Sequence, residues 1–218
     1  MKKTFCLMGL LLALVVSGMV FVSCSDEEWT DDDLANYAQV LWDNRDGNFA
    51  ILYNGFEFRI SKDGTASVSN KDDKRTKAVL PSEIKYKGKS YPVITIDGFY
   101  DSKYLTQIVI PEGYREISDA CFSGCSRLSQ ISIPESVNSM GSSTFRNCTS
   151  LETVKLPSSL LKIDAFMFEG CSSLNSIKLP PNIKSIGYSA FKDCSKLSSI
   201  TIPNNVTTIG EYAFYGCI

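Results

Sequence analysis

Histidine is absent from all 218 residues. This removes the usual general base of serine and cysteine hydrolases and the commonest protein ligand of transition metals. Tryptophan is nearly absent: Trp29 and Trp42 both precede the repeats described below, which therefore carry no indole platform for sugars. Basic charge is not in excess, with 22 Lys and Arg against 24 Asp and Glu. Without a basic stripe the chain offers nothing to a phosphate backbone, so nucleic acid is excluded as a partner. Paired CxxC spacings are missing as well. Among eight cysteines the nearest pair in the body of the chain is Cys121 and Cys125, alone, which argues against a zinc site. No cofactor is implied.

What the chain does contain is repetition. The unit that starts at Leu128 places Ile131, Ile133, Pro134, Val137, Met140, Phe145 and Cys148 at offsets that return every 23 residues, in units starting at Leu105, Leu151, Leu174 and Leu197. A fixed period in this range marks a solenoid, in which no single unit can bury its own apolar side. Within each unit the string LxxIxI alternates at period two and reads as a strand. Successive strands stack into a parallel sheet, and the proline after each strand ends it by withholding an N–H. The chain then turns back on the opposite side, where Gly141, Gly187 and Gly210 are read as permitting a tight bend; Ser118 and Asp164 hold that position in the other units. Phe122, Phe145, Phe168, Phe191 and Phe214 form one internal column, and Cys125, Cys148, Cys171, Cys194 and Cys217 another. Stacked turns bring such cysteines within disulfide range, but in-register side chains point the same way, against the near-perpendicular dihedral a disulfide needs. They read as small buried packing residues. Residues 93–104 form a degenerate unit, with Ile94 and Phe99 falling 23 before Ile117 and Phe122 and Ser102 in the cysteine's place.

The string LxxIxIPxxVxxIGxxAFxxCxx, carried by residues 93–218, resembles the BspA-like leucine-rich repeats, and the preceding β region is similar to that class's N-terminal part. The resemblance implies an α/β-type leucine-rich repeat solenoid with stacked parallel strands. It also implies a cell-surface protein associated with adhesion to host matrix proteins or other cells.

The chain divides into residues 1–23, 24–47, 48–90 and 91–218. Lys2 and Lys3 followed by an apolar run over residues 5–22 read as a secretory signal peptide, with a retained membrane helix as the alternative. The Ser23-Cys24 junction resembles a bacterial lipobox, although Phe21 stands where leucine is usual; the resemblance implies that Cys24 is lipidated and becomes the first mature residue. The acidic run that follows, Asp26, Glu27, Glu28 and Asp31 to Asp33, resembles the surface-export signal of Gram-negative lipoproteins, and reads equally as a solvated tether. Together these imply an outer-membrane lipoprotein facing outward. Thr30 and Asp33 suit a helix start, with Leu34, Tyr37, Ala38 and Leu41 on one face, unless the segment is a flexible stalk. From Phe49 the period becomes two. Asn54-Gly55, Asp63-Gly64 and a third turn about Gly88-Lys89 predict hairpins of a small antiparallel β cap over the first coil.

The repeat register assigns the outward strand positions. One row includes Gln130, Thr153, Ser176 and Ser199, and its neighbour Ser132, Lys155, Lys178 and Thr201. These eight are the candidate ligand-binding residues: a hydroxyl-rich face with two lysines and no carboxylate, or else an ordinary solvated surface. Glu112, Glu116, Asp119, Glu135, Glu152, Asp164, Glu169, Asp193 and Glu211 share no motif, so the facing carboxylates of a glycosidase are not found and no catalytic residue is assigned. Tyr188 and Tyr212 sit near one column and could stack against a ligand. The reading is a protein-binding adhesion module with extracellular or host proteins as partners and glycans as a second class. The competing reading is a spacer with no ligand site of its own, and a glycan-active enzyme lies furthest from these residues.

Overall fold

The structure is a computed structural model that describes residues 14–16, 19–21, 39–43 and 47–218. Its strands are β1 (Leu14–Val16), β2 (Met19–Phe21), β3 (Gln39–Asp43), β4 (Phe49–Tyr53), β5 (Phe56–Ile60), β6 (Ala66–Asn70), β7 (Lys77–Val79), β8 (Glu83–Tyr86), β9 (Lys89–Gly98), β10 (Gln107–Val109), β11 (Glu116–Ile117), β12 (Gln130–Ser132), β13 (Ser139–Met140), β14 (Thr153–Lys155), β15 (Lys162–Ile163), β16 (Ser176–Ile177), β17 (Ser185–Ile186) and β18 (Thr208–Ile209). Among the described residues there is no helix. The coils are therefore strand and turn on both sides. β1 and β2 pair antiparallel within the apolar run.

The N-terminal sheet takes β3 to β6 antiparallel in chain order. Asn54 and Gly55 both have positive φ, at 48° and 73°, as a type I′ turn demands, and Tyr53 pairs with Phe56 across them. The Asp63-Gly64 turn is built differently. Only Gly64 has positive φ there, because the Asp63 carboxylate accepts the Thr65 N–H at 3.0 Å and its hydroxyl at 2.8 Å, holding a local Asx turn. The third hairpin turns on Lys87 and Gly88, one residue earlier than expected. Residues 30–38 lie outside the described set, but Leu41, expected on a helical face, sits in β3. Pairing with β4 gives this segment backbone partners that an isolated short helix could not sustain.

The cap and the solenoid share their ladders. β7 lies parallel to β10, with Ala78 opposite Ile108, so the cap supplies the strand before the first regular coil. On the other side β9 runs between β6 and β11, parallel to both. Here the degenerate unit departs from the 23-residue register: Ile117 pairs with Ile96, and Ile94 is only half-buried. Pairing of β9 with β6 sets which of its residues faces inward, and that overrides the repeat. The register recovers at Phe99, whose ring lies 5.5 Å from Phe122. Ser102 does fill the cysteine's place, buried, and its hydroxyl accepts a hydrogen bond from the Asn70 side chain at 3.0 Å.

Through the regular coils, β12, β14 and β16 stack parallel on one side and β15, β17 and β18 on the other, each a 23-residue step from the last. Between the ladders the turns bond coil to coil as well, for example Phe145 N–H to Met167 C=O at 2.9 Å and Phe168 N–H to Ala190 C=O at 2.8 Å. Phe122, Phe145, Phe168, Phe191 and Phe214 stack with centroids 5.2–5.6 Å apart and planes within 15°. Each buried ring contributes on the order of 1.5–3 kcal/mol.

The cysteine column does more than fill space. The thiols of Cys125, Cys148, Cys171, Cys194 and Cys217 each donate to the phenylalanine carbonyl of the coil before, at 3.0–3.3 Å. Burial pushes the thiols of Cys125 and Cys194 up to about 12, so they stay neutral donors. Cys121, which stands apart from this column, takes the place before the phenylalanine that Thr144, Met167, Ala190 and Ala213 hold in the other units, and is buried there.

Two glycine columns have distinct reasons. Gly141, Gly187 and Gly210 do not have the positive φ of a tight bend; a Cβ on them would sit 2.5–2.6 Å from the backbone nitrogens of Asp119, Ala165 and Tyr188 in the coil before. Close approach of backbones, not bending, selects glycine there. The second column runs Asp101, Gly124, Asn147, Gly170, Asp193, Gly216, every member with positive φ. Asp, Asn and Gly are the residues that tolerate that conformation. Their strict alternation has a packing cause: a Cβ on Gly124, Gly170 or Gly216 would collide with the Oδ1 of Asp101, Asn147 or Asp193 one coil earlier. The side chain of one coil occupies the space its neighbour leaves empty.

Candidate functional site

Alternation within each strand turns one residue in and the next out, and it sorts the sheet face cleanly. Ile131 and Val154 point into the core, while Gln130, Ser132, Thr153, Lys155, Ser176, Lys178, Ser199 and Thr201 are all exposed. Gln130, Thr153 and Ser176 are direct register partners, as are Ser132 and Lys155. Lys178 follows β16 directly, and Ser199 and Thr201 lie beyond the last strand of that ladder.

The face is not free of carboxylate. Glu135, from the turn after Pro134, reaches Lys155 with Oε1 3.8 Å from Nζ. Counting strand positions alone missed it, because it enters from the neighbouring coil's turn. Glu135 Oε2 also accepts the Ser158 N–H at 2.8 Å and its hydroxyl at 2.9 Å. These donors, with Lys155 adding a smaller effect, hold the Glu135 carboxyl below its ordinary range. One coil earlier Glu112 does the same for the N–H groups of Glu135 and Ser136, at 3.2 and 3.0 Å. Two of the scattered carboxylates are thus turn clamps.

Beside them the surface dips into a shallow hollow of about 340 Å³. Lys155, Lys178, Glu135 and Ser158 provide its polar lining, and Val154, Leu156, Leu179, Pro180 and Pro181 its apolar walls. Chemically it can hold an anion against apolar neighbours. Among the described residues no group of three or more His, Cys, Asp or Glu could hold a metal ion.

The turn side carries a second exposed feature. Phe166 and Tyr188 meet edge to face at 5.3 Å, Tyr188 and Tyr212 at 5.7 Å, and Tyr212 and Tyr215 at 6.0 Å. The Arg146 guanidinium lies 5.6 Å from the Phe166 ring. Its Nε is 2.7 Å from Glu169 Oε2, a close ion pair at a poor angle for a hydrogen bond, and Lys192 Nζ is 3.3 Å from Oε1. Phe166 and Tyr212 hold positive φ at a position that is Ala120, Ser143 or Ser189 in other coils. The fold is content with small residues there. The sequence pointed to Tyr188 and Tyr212 alone; the signal for Phe166 was its place two periods before Tyr212.

These coils match the model of the BspA type leucine-rich repeat region in six copies over residues 93–218. The chain belongs to that family. Three solved members of the leucine-rich repeat class illustrate its range. A leucine-rich cell-surface protein from Faecalibacterium prausnitzii is 26% identical, with a TM-score of 0.65, over 77% of this chain and 52% of its own. The T. pallidum leucine-rich repeat protein is 28% identical, with a TM-score of 0.53, over 76% and 66%. A leucine-rich repeat protein from Bacteroides ovatus is 25% identical, with a TM-score of 0.51, over 76% and 56%. The BspA-type chain spans about half the length of the F. prausnitzii protein. No curated protein matches it.

Proposed function

We propose that the chain is a cell-surface protein-recognition module that docks extracellular or host proteins on its sheet face, an adhesion role. The observation that carries this is the register-held row of exposed hydroxyl and lysine side chains running into the Lys155–Lys178 hollow. Solenoids use such extended faces for binding. Family membership and the surface location of the F. prausnitzii relative support the same reading. In a binding assay against host matrix proteins, the double change Lys155→Ser and Lys178→Ser is expected to give weaker and less salt-dependent affinity with the fold intact. Serine already stands at Ser132, the equivalent position one coil earlier. Undiminished affinity moves the docking to the Phe166–Tyr188–Tyr212 strip, whose Tyr and Arg content suits an interface hot spot. A wild-type chain that retains no protein leaves the spacer reading.

Anchoring belongs to the same proposal. Cys24 carries the lipid, residues 1–23 are removed, and the acidic run directs the chain to the outward leaflet of the outer membrane. The intact mass of native material is expected to equal a chain starting at a lipidated Cys24; a mature chain that keeps Lys2 and Lys3 refutes it.

A further inference from the structure

Resting on the protein-binding reading above, we propose that the Lys155–Lys178 hollow receives the carboxylate of an acidic side chain that a partner protein presents beside an apolar residue. The repeat register sets the two lysines apart. Lys155 meets the Glu135 carboxylate, which stands twenty residues before it. Twenty residues before Lys178 stands Ser158, which has no charge to offer. The clamp is missing too. Glu135 is fixed by the Ser158 N–H, but a carboxylate at 158 would look to residue 181, a proline with no N–H. This coil lacks both the counter-ion and its anchor but carries the lysine.

Lys178 is exposed and, unlike Lys155, makes no ion pair among the described residues. The hollow thus holds two ammonium groups against one carboxylate. Repulsion between stacked like charges is relieved by an incoming anion. The walls decide what carries that anion. Leu156, Leu179 and Pro180, all buried, form an apolar floor next to Lys178, and the exposed Pro181 forms its rim. A sulfated sugar would leave them facing hydroxyls, and the strand rows hold no aromatic ring for it to stack on. An Asp or Glu side chain flanked by an aliphatic residue satisfies both the charge and the walls.

The test titrates the full chain with two acetylated, amidated peptides, Gly-Leu-Glu-Leu-Gly and its glutamine twin, following the methyl resonances of Leu156 and Leu179. The glutamate peptide should shift them saturably and bind on the order of fivefold more tightly than the twin, as for an exposed ion pair. Lys178→Ser should remove that difference. Ser158→Glu, which supplies the internal counter-ion, should remove it as well, with Phe168 ring resonances unmoved as the check on folding. Lys184→Ser, beside the opposite ladder, should leave it intact. Equal affinity for the two peptides overturns the proposal, as does no saturable shift with either, or displacement by dextran sulfate where the glutamate peptide fails. Capture of host proteins that is indifferent to Lys178→Ser defeats this inference and leaves the protein-binding reading standing. Glutamate-dependent peptide binding with no protein captured does the reverse.

Discussion

Phe168→Ala should destabilise the fold by about 3–5 kcal/mol, the range for emptying a large aromatic site in a packed core. Phe168 is fully buried, and its ring is stacked between Phe145 at 5.4 Å and Phe191 at 5.2 Å. Removing it takes away two ring contacts and opens a void bounded by backbone that is bonded to both neighbouring coils, so the site cannot collapse. Phe214→Ala should cost much less, because Phe214 is only partly buried and, among the described residues, stacks on Phe191 alone. Urea denaturation of the two variants beside the wild type measures the contrast. Equal losses would contradict nearest-neighbour stacking as the source of stability.

Gly187→Ala should destabilise the fold by about 1–3 kcal/mol, as for an overpacked site, although it adds a single methyl. The new methyl would lie 2.6 Å from the Ala165 nitrogen and 2.7 Å from the Asp164 carbonyl carbon. Both are backbone atoms held in the coil ladder, so relief requires one coil to shift against another. Asp164→Ala is the internal control: it occupies the same column, already carries a Cβ, and loses a partly exposed ion pair with Lys162. Thermal unfolding of both variants checks the difference. If Gly187→Ala and Asp164→Ala melt alike, close backbone approach is not what selects glycine.

The two kinds of carboxylate show where sequence reading ran out. Glu135 and Glu169 look alike in the sequence, as acidic residues outside any motif. In the structure Glu135 clamps the next turn and meets Lys155, whereas Glu169 is buried between Arg146 and Lys192. The second relation is a straight column, Arg146, Glu169 and Lys192 being one period apart, and could have been counted. The clamp of Glu135 on Ser158 is likewise one period, but its reach to Lys155 runs from a turn to the following strand, and that twenty-residue step becomes visible only when the turn has a shape.

What the sequence determined alone is everything that repeats at 23 residues: the solenoid, its parallel strands, the phenylalanine and cysteine columns, and which strand residues face outward. In-register stacking makes each residue the neighbour of its own counterpart, so a one-dimensional period already specifies a three-dimensional contact. The tertiary structure decided the contacts that cross columns. Ile96 replaces Ile94 because β9 answers to β6 before it answers to the repeat. Asp101, Gly124, Asn147, Gly170, Asp193 and Gly216 alternate because each Asx side chain leans into the next coil. Phe166, Tyr188 and Tyr212 meet although Tyr188 belongs to an adjacent column. Such contacts depend on the φ of a turn residue and the reach of a side chain, and a period specifies neither.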